Sequence, residues 1–550
     1  MTKMKRKPKT EYQKKLDTYR QLSSRHVLVL EADMSEDDKR TLFHEAELIR
    51  KAGNELTGIM KKRYDQLIRT KHYRELKAAY GKAAEKGDDE ARKACADEMA
   101  QMQKEYHVTW DYCRTAMIPI GKRYGIHSVF ALTRAEDVWR GVEKCLYGDG
   151  RTLHFVRQGE LPNIRAKQIN RTITVKVKDE SLYFSHRFRE KQMTIRISSP
   201  DRFQTEETAA VMHYLEAPEA EDRKAVQTLS GERVCIDTFR PCYVSFICKT
   251  IRGKLRVYIH LTIEGHAKPK YNKDGTLRHT YGRGKIGSDI GTQTVAYTSD
   301  KEVGLKNLAE RGSSILENER KERLIYRAMD RSRRAMNPDN YNENGTIRKG
   351  RKQWVESNHY KKLKTRHREM CRINAENRHY AIDEDVNHLR ELGDVFITEP
   401  KNSKKLQKRA EKTTVNERTG KKNPKKRFGK SIKNRCPGYF QGKVQQKFES
   451  TGGIYKEVPF DYRASQYDHT VDDYIKKKLT ERMFYLKNGP EVQRDWYSSF
   501  LLYCYDLPSQ SLDKQMCKDE FGRLYQKEKE LLAWIKDNKI KILNSGIKIA

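Results

Sequence analysis

Apolar and polar positions change their period several times along the chain, and each change marks an expected element. In residues 24–32, SRHVLVLEA, apolar side chains alternate with polar ones, which predicts a short half-buried strand. From Met34 the spacing lengthens. Leu42, Ala46, Leu48 and Ile49 recur at helical intervals, and Ser35 with Asp38 three residues on forms an N-terminal capping signal. Helices with breaks are expected to about residue 145, and the stretch 80–106 has the Ala, Lys and Glu content of a solvated helix pair. Alternation then returns. RTITVKVKDESLYFSHRF, KQMTIRISS and GERVCIDTFRPCYVSFICKTIRGKLRVYIHLTIEG predict a β-rich region over 150–265, with IRGK as a hairpin turn.

A polar linker, HAKPKYNKDGTLRHTYGRGK, leads into a strand, IGSDIGTQTVAY, that carries Asp289 at its middle. A long basic helical region is expected over 308–390, followed by the compact strand DVFITE, which ends at Glu399. Between 401 and 435 fifteen Lys or Arg stand against two Glu. A segment so charged resists burial and is expected to order on a polyanion. CPGYFQGKVQQKFESTGG predicts a helix, with Pro437 near its start, Phe440, Val444 and Phe448 on one face, and Gly452 and Gly453 at its close. GIYKEVPF reads as a strand and VQRDWYSSFLLYCY as a helix; no internal repeat and no heptad array is read.

Charge narrows the partners. The 550 residues hold 113 Lys and Arg against 76 Asp and Glu, a net charge of +37, which points to a polyanion. Nothing resembles the run of about 20 apolar residues that a membrane-spanning helix needs. The basic N-terminus, MTKMKRKPKTEYQKK, lacks the apolar stretch of a secretory signal and reads as an arm lying on nucleic acid. None of the ten cysteines has C-x-x-C spacing, so reduced thiols of a cytoplasmic protein are expected, with neither a disulfide framework nor a zinc ribbon.

Three acids stand out because each falls in or at the end of an expected core element, where an unpaired carboxylate is costly. Asp289 is mid-strand, Glu399 ends a strand before Pro400, and Asp495 opens a largely apolar helix on which Ser498, Ser499 and Leu502 share its face. Taken singly, each has a plainer reading: Asp289 as a turn residue before Gly291, Glu399 as a capping or surface acid, Asp495 as the partner of Arg494 or Arg482. Taken together they have the order of a metal-dependent nuclease, in which mutually repelling carboxylates become tolerable around divalent cations.

IGSDIGTQTVAY resembles the first RuvC motif of transposon-encoded TnpB proteins and their type V CRISPR effector relatives. DVFITEPKN resembles their second motif, CPGYFQGKVQQKFESTGGIYKEV the helix and strand that follow, and VQRDWYSSFLL the third motif. The basic helix KKLKTRHREMCRINAENRHYAIDEDVNHL is similar to the one before the second motif. The resemblance spans residues 283–506. It implies an α+β multidomain protein: a β-rich wedge domain with an inserted helical recognition lobe, then a ribonuclease-H-like (RuvC) nuclease domain. The implied boundaries are 1–32 for the basic arm and first wedge strand, 33–149 for the helical lobe, 150–282 for the wedge and linker, 283–508 for the nuclease domain with a substrate-loading insert at 461–491, and 509–550 for a helical tail.

The resemblance further implies RNA-guided cleavage of DNA by two-metal-ion hydrolysis, with Asp289, Glu399 and Asp495 binding two Mg2+ ions, or Mn2+ in their place. The partners would be a guide RNA and target duplex DNA bearing a short adjacent motif. Two other readings remain: a nuclease-inactive RNA-guided repressor, and an RNA-independent transposase or resolvase of the same fold. The family's four-cysteine zinc ribbon would fall in DYRASQYDHTVDDYIKKKLTERMFYLKNGPEVQ, which has no cysteine and a lone His469, so no zinc is expected. Basic residues expected along nucleic acid are Arg366, Arg368, Arg372 and Arg378 on one helix, Lys401, Lys404, Lys405 and Lys408 after the second motif, and Lys476, Lys477, Lys478 and Arg482 in the insert.

Overall fold

The period-two pattern at the start becomes strand β1 (Arg25–Asp33) in the computed structural model, with His26, Leu28, Leu30 and Ala32 buried on one face. The structure describes residues 25–549 except 149, 168, 190, 218–222, 228–232, 311–314, 411–412, 417–418, 421, 424, 426–427, 460 and 477–480. The basic N-terminal arm therefore lies outside the described residues. The chain divides into two compact units, Met1–Lys268 and Pro269–Ala550.

In the first unit β1 is followed by five helices: α1 (Glu36–Arg69), α2 (Lys71–Lys86), α3 (Asp89–Glu105), α4 (Trp110–Tyr124) and α5 (Ser128–Leu146). Ser35 caps α1 by accepting the Asp38 N–H at 3.1 Å, and three acids in the first turn favour the helix dipole. Leu42, Ala46, Ile49, Leu56 and Met60 make the buried stripe of α1. The chain then returns to the sheet as β2 (Ile164–Arg165), β3 (Thr174–Lys178), β4 (Ser181–Phe188), β5 (Lys191–Ile197), helix α6 (Thr205–Glu216), β6 (Arg223–Gln227), β7 (Arg233–Asp237), β8 (Pro241–Ile251) and β9 (Lys254–Glu264). Seven strands pair in the order β2-β8-β9-β1-β5-β4-β3, and β6 and β7 form a separate ribbon. The β8–β9 hairpin turns on Arg252 and Gly253, at φ 50° and 78°; two successive positive φ values match the twist of the flanking strands.

The second unit is built on a five-stranded sheet, ordered β12-β11-β10-β13-β14. Its strands are β10 (Lys285–Ile290), β11 (Thr294–Ser299), β12 (Val303–Asn307), β13 (Val395–Thr398) and β14 (Ile454–Glu457). β10, β11 and β12 form an antiparallel meander, while β13 and β14 run parallel to β10. Helices α7 (Ile315–Met336) and α8 (Asn358–Leu392) lie between β12 and β13; α9 (Ser403–Leu406), α10 (Gly429–Arg435) and α11 (Pro437–Ser450) lie between β13 and β14. The short ladders β15 (Tyr467–Asp468) with β16 (Asp473–Tyr474) and β17 (Met483–Tyr485) with β18 (Glu491–Gln493) precede α12 (Arg494–Tyr503). The ribbon β19 (Tyr505–Asp506) with β20 (Ser511–Leu512) and helix α13 (Lys514–Asp537) complete the unit. The mixed α and β content agrees with the sequence; no helix among the described residues is long and apolar enough to cross a membrane.

Three expectations need correcting. The basic region 308–390 is not one helical run, because residues 337–357 form a loop between α7 and α8. That loop exposes a repeat that went unread. YNKDGTLR at 271–278 and YNENGTIR at 341–348 fold into the same turn. In each, Asn N–H donates to the Thr carbonyl at 2.8 Å, and an Asp274 or Asn344 side chain accepts from the Thr amide and hydroxyl. Gly275 and Gly345 supply the positive φ that only glycine adopts freely. Finally, the segment 401–435, expected to resist burial, is partly buried at its end. In α10, Ile432 is buried and Arg435 donates to the Leu308 carbonyl at 2.9 Å, so a cation there satisfies a backbone acceptor.

Candidate active site

Asp289 sits one residue before the end of β10, the middle strand of the five, and points out of a tightly packed stretch. Gly287 is the reason the packing is so close. A Cβ there would lie 2.1 Å from Tyr503 N and 2.2 Å from Ser499 O, so the strand touches the backbone of α12 directly. Ser288 is fully buried, and its polarity is satisfied by donating to the Ala296 carbonyl at 2.9 Å. The contact is completed by Ser499, whose hydroxyl lies 2.7 Å from that of Thr298 on β11.

Glu399 follows β13, the parallel neighbour of β10, whose register sets Ser288 beside Thr398. The Thr398 hydroxyl donates to the Ser288 carbonyl at 2.8 Å and ties the two strand ends together. The Ala464 N–H donates to Glu399 Oε1 at 3.1 Å. Asp495 occupies the first turn of α12, where the helix dipole favours a negative charge. Gln493 caps that helix by accepting the Trp496 N–H at 2.7 Å, and its own amide donates to Asp495 Oδ2 at 3.5 Å.

The three acids, 110 and 96 residues apart in sequence, therefore converge at one end of the sheet. Burial is the main cause lifting Asp495 to about 6, and repulsion from Asp289 is the next. Burial, then the charge of Asp289, also raises Glu399; Lys401, the Ala464 amide and Arg494 act against it. Each carboxylate that feels Asp289 is thus held in a less ionised state than it would have in water.

Two residues expected along nucleic acid lie beside these acids. Lys401 Nζ is 3.7 Å from Asp289 Oδ1 and also donates to the Ile290 carbonyl. Arg482 Nη1 is 3.5 Å from Asp495 Oδ1, the pairing that is the plainer reading of Asp495. These cations, with Arg494 acting on Glu399, offset part of the negative cluster. The set of donors is all oxygen, which suits a hard divalent cation such as Mg2+ or Mn2+. It is also a spread set: among the described residues, Glu322, His367 and Cys371 are the one group of three whose donor atoms all lie within 4.8 Å of one another.

The other basic residues divide by environment. Arg366 and Arg368 are exposed on α8, but Arg372 is clasped by Glu369 and Glu376 of its own helix, with N–O distances of 2.6 Å to each. Arg378 is half-buried, with a buried Nε that lacks a hydrogen-bond partner. Lys408 and Lys476 are exposed. Lys404 and Lys405 fall on α9, where their side chains are outside the description, and Lys477 and Lys478 lie outside the described residues. The insert carrying Lys476 and Arg482 packs onto α12 through buried Tyr467, His469 and Leu486. His469 sits among aromatic rings, with Nδ1 2.9 Å from the Tyr497 hydroxyl.

Sequence reasoning did not single out Gln493, Ala464 or Gly287. A glutamine immediately before the Arg-Asp pair that opens a helix was a readable capping signal; nothing in the sequence marks the backbone amide of residue 464.

No family model matches the chain, and no curated protein matches it. Among solved structures, it is similar to the Cas12i1 R-loop complex after target DNA cleavage, with TM-score 0.27 and 10% identity, over 92% of this chain and 66% of that one. The Cas12i1 R-loop complex before target DNA cleavage gives TM-score 0.25 and 9% identity, over 96% and 65%. The AacC2c1–sgRNA–extended non-target DNA ternary complex gives TM-score 0.23 and 8% identity, over 75% and 62%. The chain thus spans about two thirds of the length of these proteins. At such TM-scores the likeness carries no weight, and the chemistry has to be argued from the chain's own side chains.

Proposed function

We propose that the protein is an RNA-guided DNA endonuclease with a single ribonuclease-H-like (RuvC) site formed by Asp289, Glu399 and Asp495. The observation that carries this reading is the convergence of three carboxylates from a central strand, the end of its parallel neighbour and a packed helix, each partly buried and two of them feeling the charge of the third. Lys401, Arg482 and Arg494 offset part of this charge, yet burial and the charge of Asp289 still leave Glu399 and Asp495 raised, as expected of acids arranged to receive cations.

The site would hold two Mg2+ ions, or Mn2+, through these carboxylates. When bound, such ions supply an activated water and charge stabilisation for the leaving oxygen of a phosphodiester. The chain's own contribution is positional. Gly287 and Ser499 fix β10 against α12, Gln493 orients Asp495, and the Ala464 amide orients Glu399. Lys401 and Arg482 hold the acids ionised enough to accept cations and are then free to turn to phosphate oxygens. The charge of +37 supplies the attraction for a guide RNA and for target DNA carrying a short adjacent motif. Such a protein works in the cytoplasm, on the nucleoid of a prokaryote.

The test incubates wild type and the Asp289→Ala, Glu399→Ala and Asp495→Ala variants with guide RNA, Mg2+ and matched DNA. Each variant is expected to lose cleavage while keeping guided DNA binding, because the phosphate contacts lie on other residues. Undiminished cutting by the Asp289 or Asp495 variant overturns the assignment. Wild-type cutting that ignores RNA complementarity supports an RNA-independent nuclease, and binding without any cutting supports a repressor.

A further inference from the structure

Away from the three acids, a different donor set lies where α7 meets α8. His367 and Cys371 are four residues apart on α8, so both project from one face. Glu322 reaches them from α7. His367 Nε2 is 3.4 Å from Cys371 Sγ and 3.5 Å from Glu322 Oε1, and Sγ is 4.0 Å from the same Oε1. All three side chains are partly buried, and the ring of Tyr326 covers His367 at 4.4 Å between centroids.

These separations have a specific meaning. Zinc-class bonds of about 2.0–2.3 Å at tetrahedral angles put sulfur, nitrogen and oxygen donors about 3.4–3.6 Å apart. Two of the three edges already have that length, and the third closes with a few tenths of an ångström of movement. We propose that Glu322, His367 and Cys371 form a binding site for a borderline divalent cation of the zinc class, which pins α7 to α8. The mixed thiolate, imidazole and carboxylate set disfavours Mg2+, which takes hard oxygen donors.

Lys433 of α10 competes for this site. Its Nζ lies 3.2 Å from both Glu322 oxygens, and its side chain is exposed. A cation entering the site displaces it into water and takes the fourth position with a water ligand. Such a site runs against the expectation that the chain holds no zinc, which follows from the absence of C-x-x-C spacing and the cysteine-free interval before Asp495; the ligands here come instead from two helix faces.

The experiment titrates chelator-treated, full-length protein with Co2+ and follows its absorbance. The expected result is a near-ultraviolet thiolate-to-cobalt charge-transfer band with intense visible bands of tetrahedral cobalt, saturating at one equivalent and bleached by Zn2+. Cys371→Ser is expected to abolish the charge-transfer band. His367→Gln is expected to weaken binding by about tenfold or more. Lys433→Met alters an exposed residue and is expected to tighten binding, because it removes the competing cation. The absence of a thiolate band in the wild type, or a band that persists undiminished in Cys371→Ser, overturns the proposal. The carboxylate site contains no sulfur, so Asp289→Asn leaves the band unchanged, and failure here is distinguishable from failure of the nuclease reading.

Discussion

Replacing Asp495 by Asn should make the protein more stable while making it inactive. In the folded state the carboxyl titrates at about 6 against an ordinary 3.8, a difference equivalent to about 3 kcal/mol of destabilisation whenever the group is ionised. The side chain is 16% exposed, so solvent screening removes little of this figure. Arg482 loses its partner in the variant but is 34% exposed and can hydrate, which leaves an expected gain of about 2–3 kcal/mol. The sign fixes the pH dependence. This acid has a raised folded pKa, so its cost is fully present above about pH 6 and fades as pH falls toward the unfolded value near 3.8. Thermal unfolding in chelator should therefore show Asp495→Asn above wild type by about 3–5 °C near pH 8, with the two coinciding below about pH 4. Millimolar Mg2+ should raise the wild type and leave the variant largely unmoved, since binding to the folded state alone stabilises it. A variant no more stable than wild type near pH 8, or equally stabilised at both pH values, would refute the reasoning.

Gly287→Ala should cost about 3 kcal/mol, because the new methyl meets main-chain atoms of Ser499 and Tyr503 that cannot step aside; chemical denaturation that finds it within 0.5 kcal/mol of wild type, about the effect of a surface change, would contradict the close contact. Protein purified from its native host should carry structured RNA, and its affinity for that RNA should fall steeply and log-linearly with salt; filter binding across a salt series gives the slope, and a salt-insensitive affinity would argue against a phosphate-led interaction.

The sequence made the alternating strands, the capped first helix and the Phe440, Val444 and Phe448 face readable because each follows from local periodicity. The three acids could be picked out for a related reason: an acid inside an apolar element breaks the pattern around it. What could not be read were features set by tertiary proximity. Lys401 looks like any other member of a basic run, and nothing local tells that its side chain reaches Asp289; the Arg482–Asp495 pair, by contrast, was among the readings the sequence offered. Arg435 belongs to the most charged stretch of the chain, yet it is buried because one distant carbonyl, that of Leu308, needs a donor. The paired turns at Tyr271 and Tyr341 were overlooked for the opposite reason: they are short, polar and outside the core patterns that periodicity detects.

The contact at Gly287 resembles the fixed jaw of a vice. Spacing maintained by side chains can breathe through a change of rotamer, but the strand of Asp289 and the helix of Asp495 meet main chain to main chain, so their separation is set for as long as the unit is folded. Glu399 is mounted differently, beyond its strand end and steadied by one amide from a distant loop. Changes in the 461–466 loop should therefore act on the site through Glu399, altering activity while leaving the paired aspartates in place.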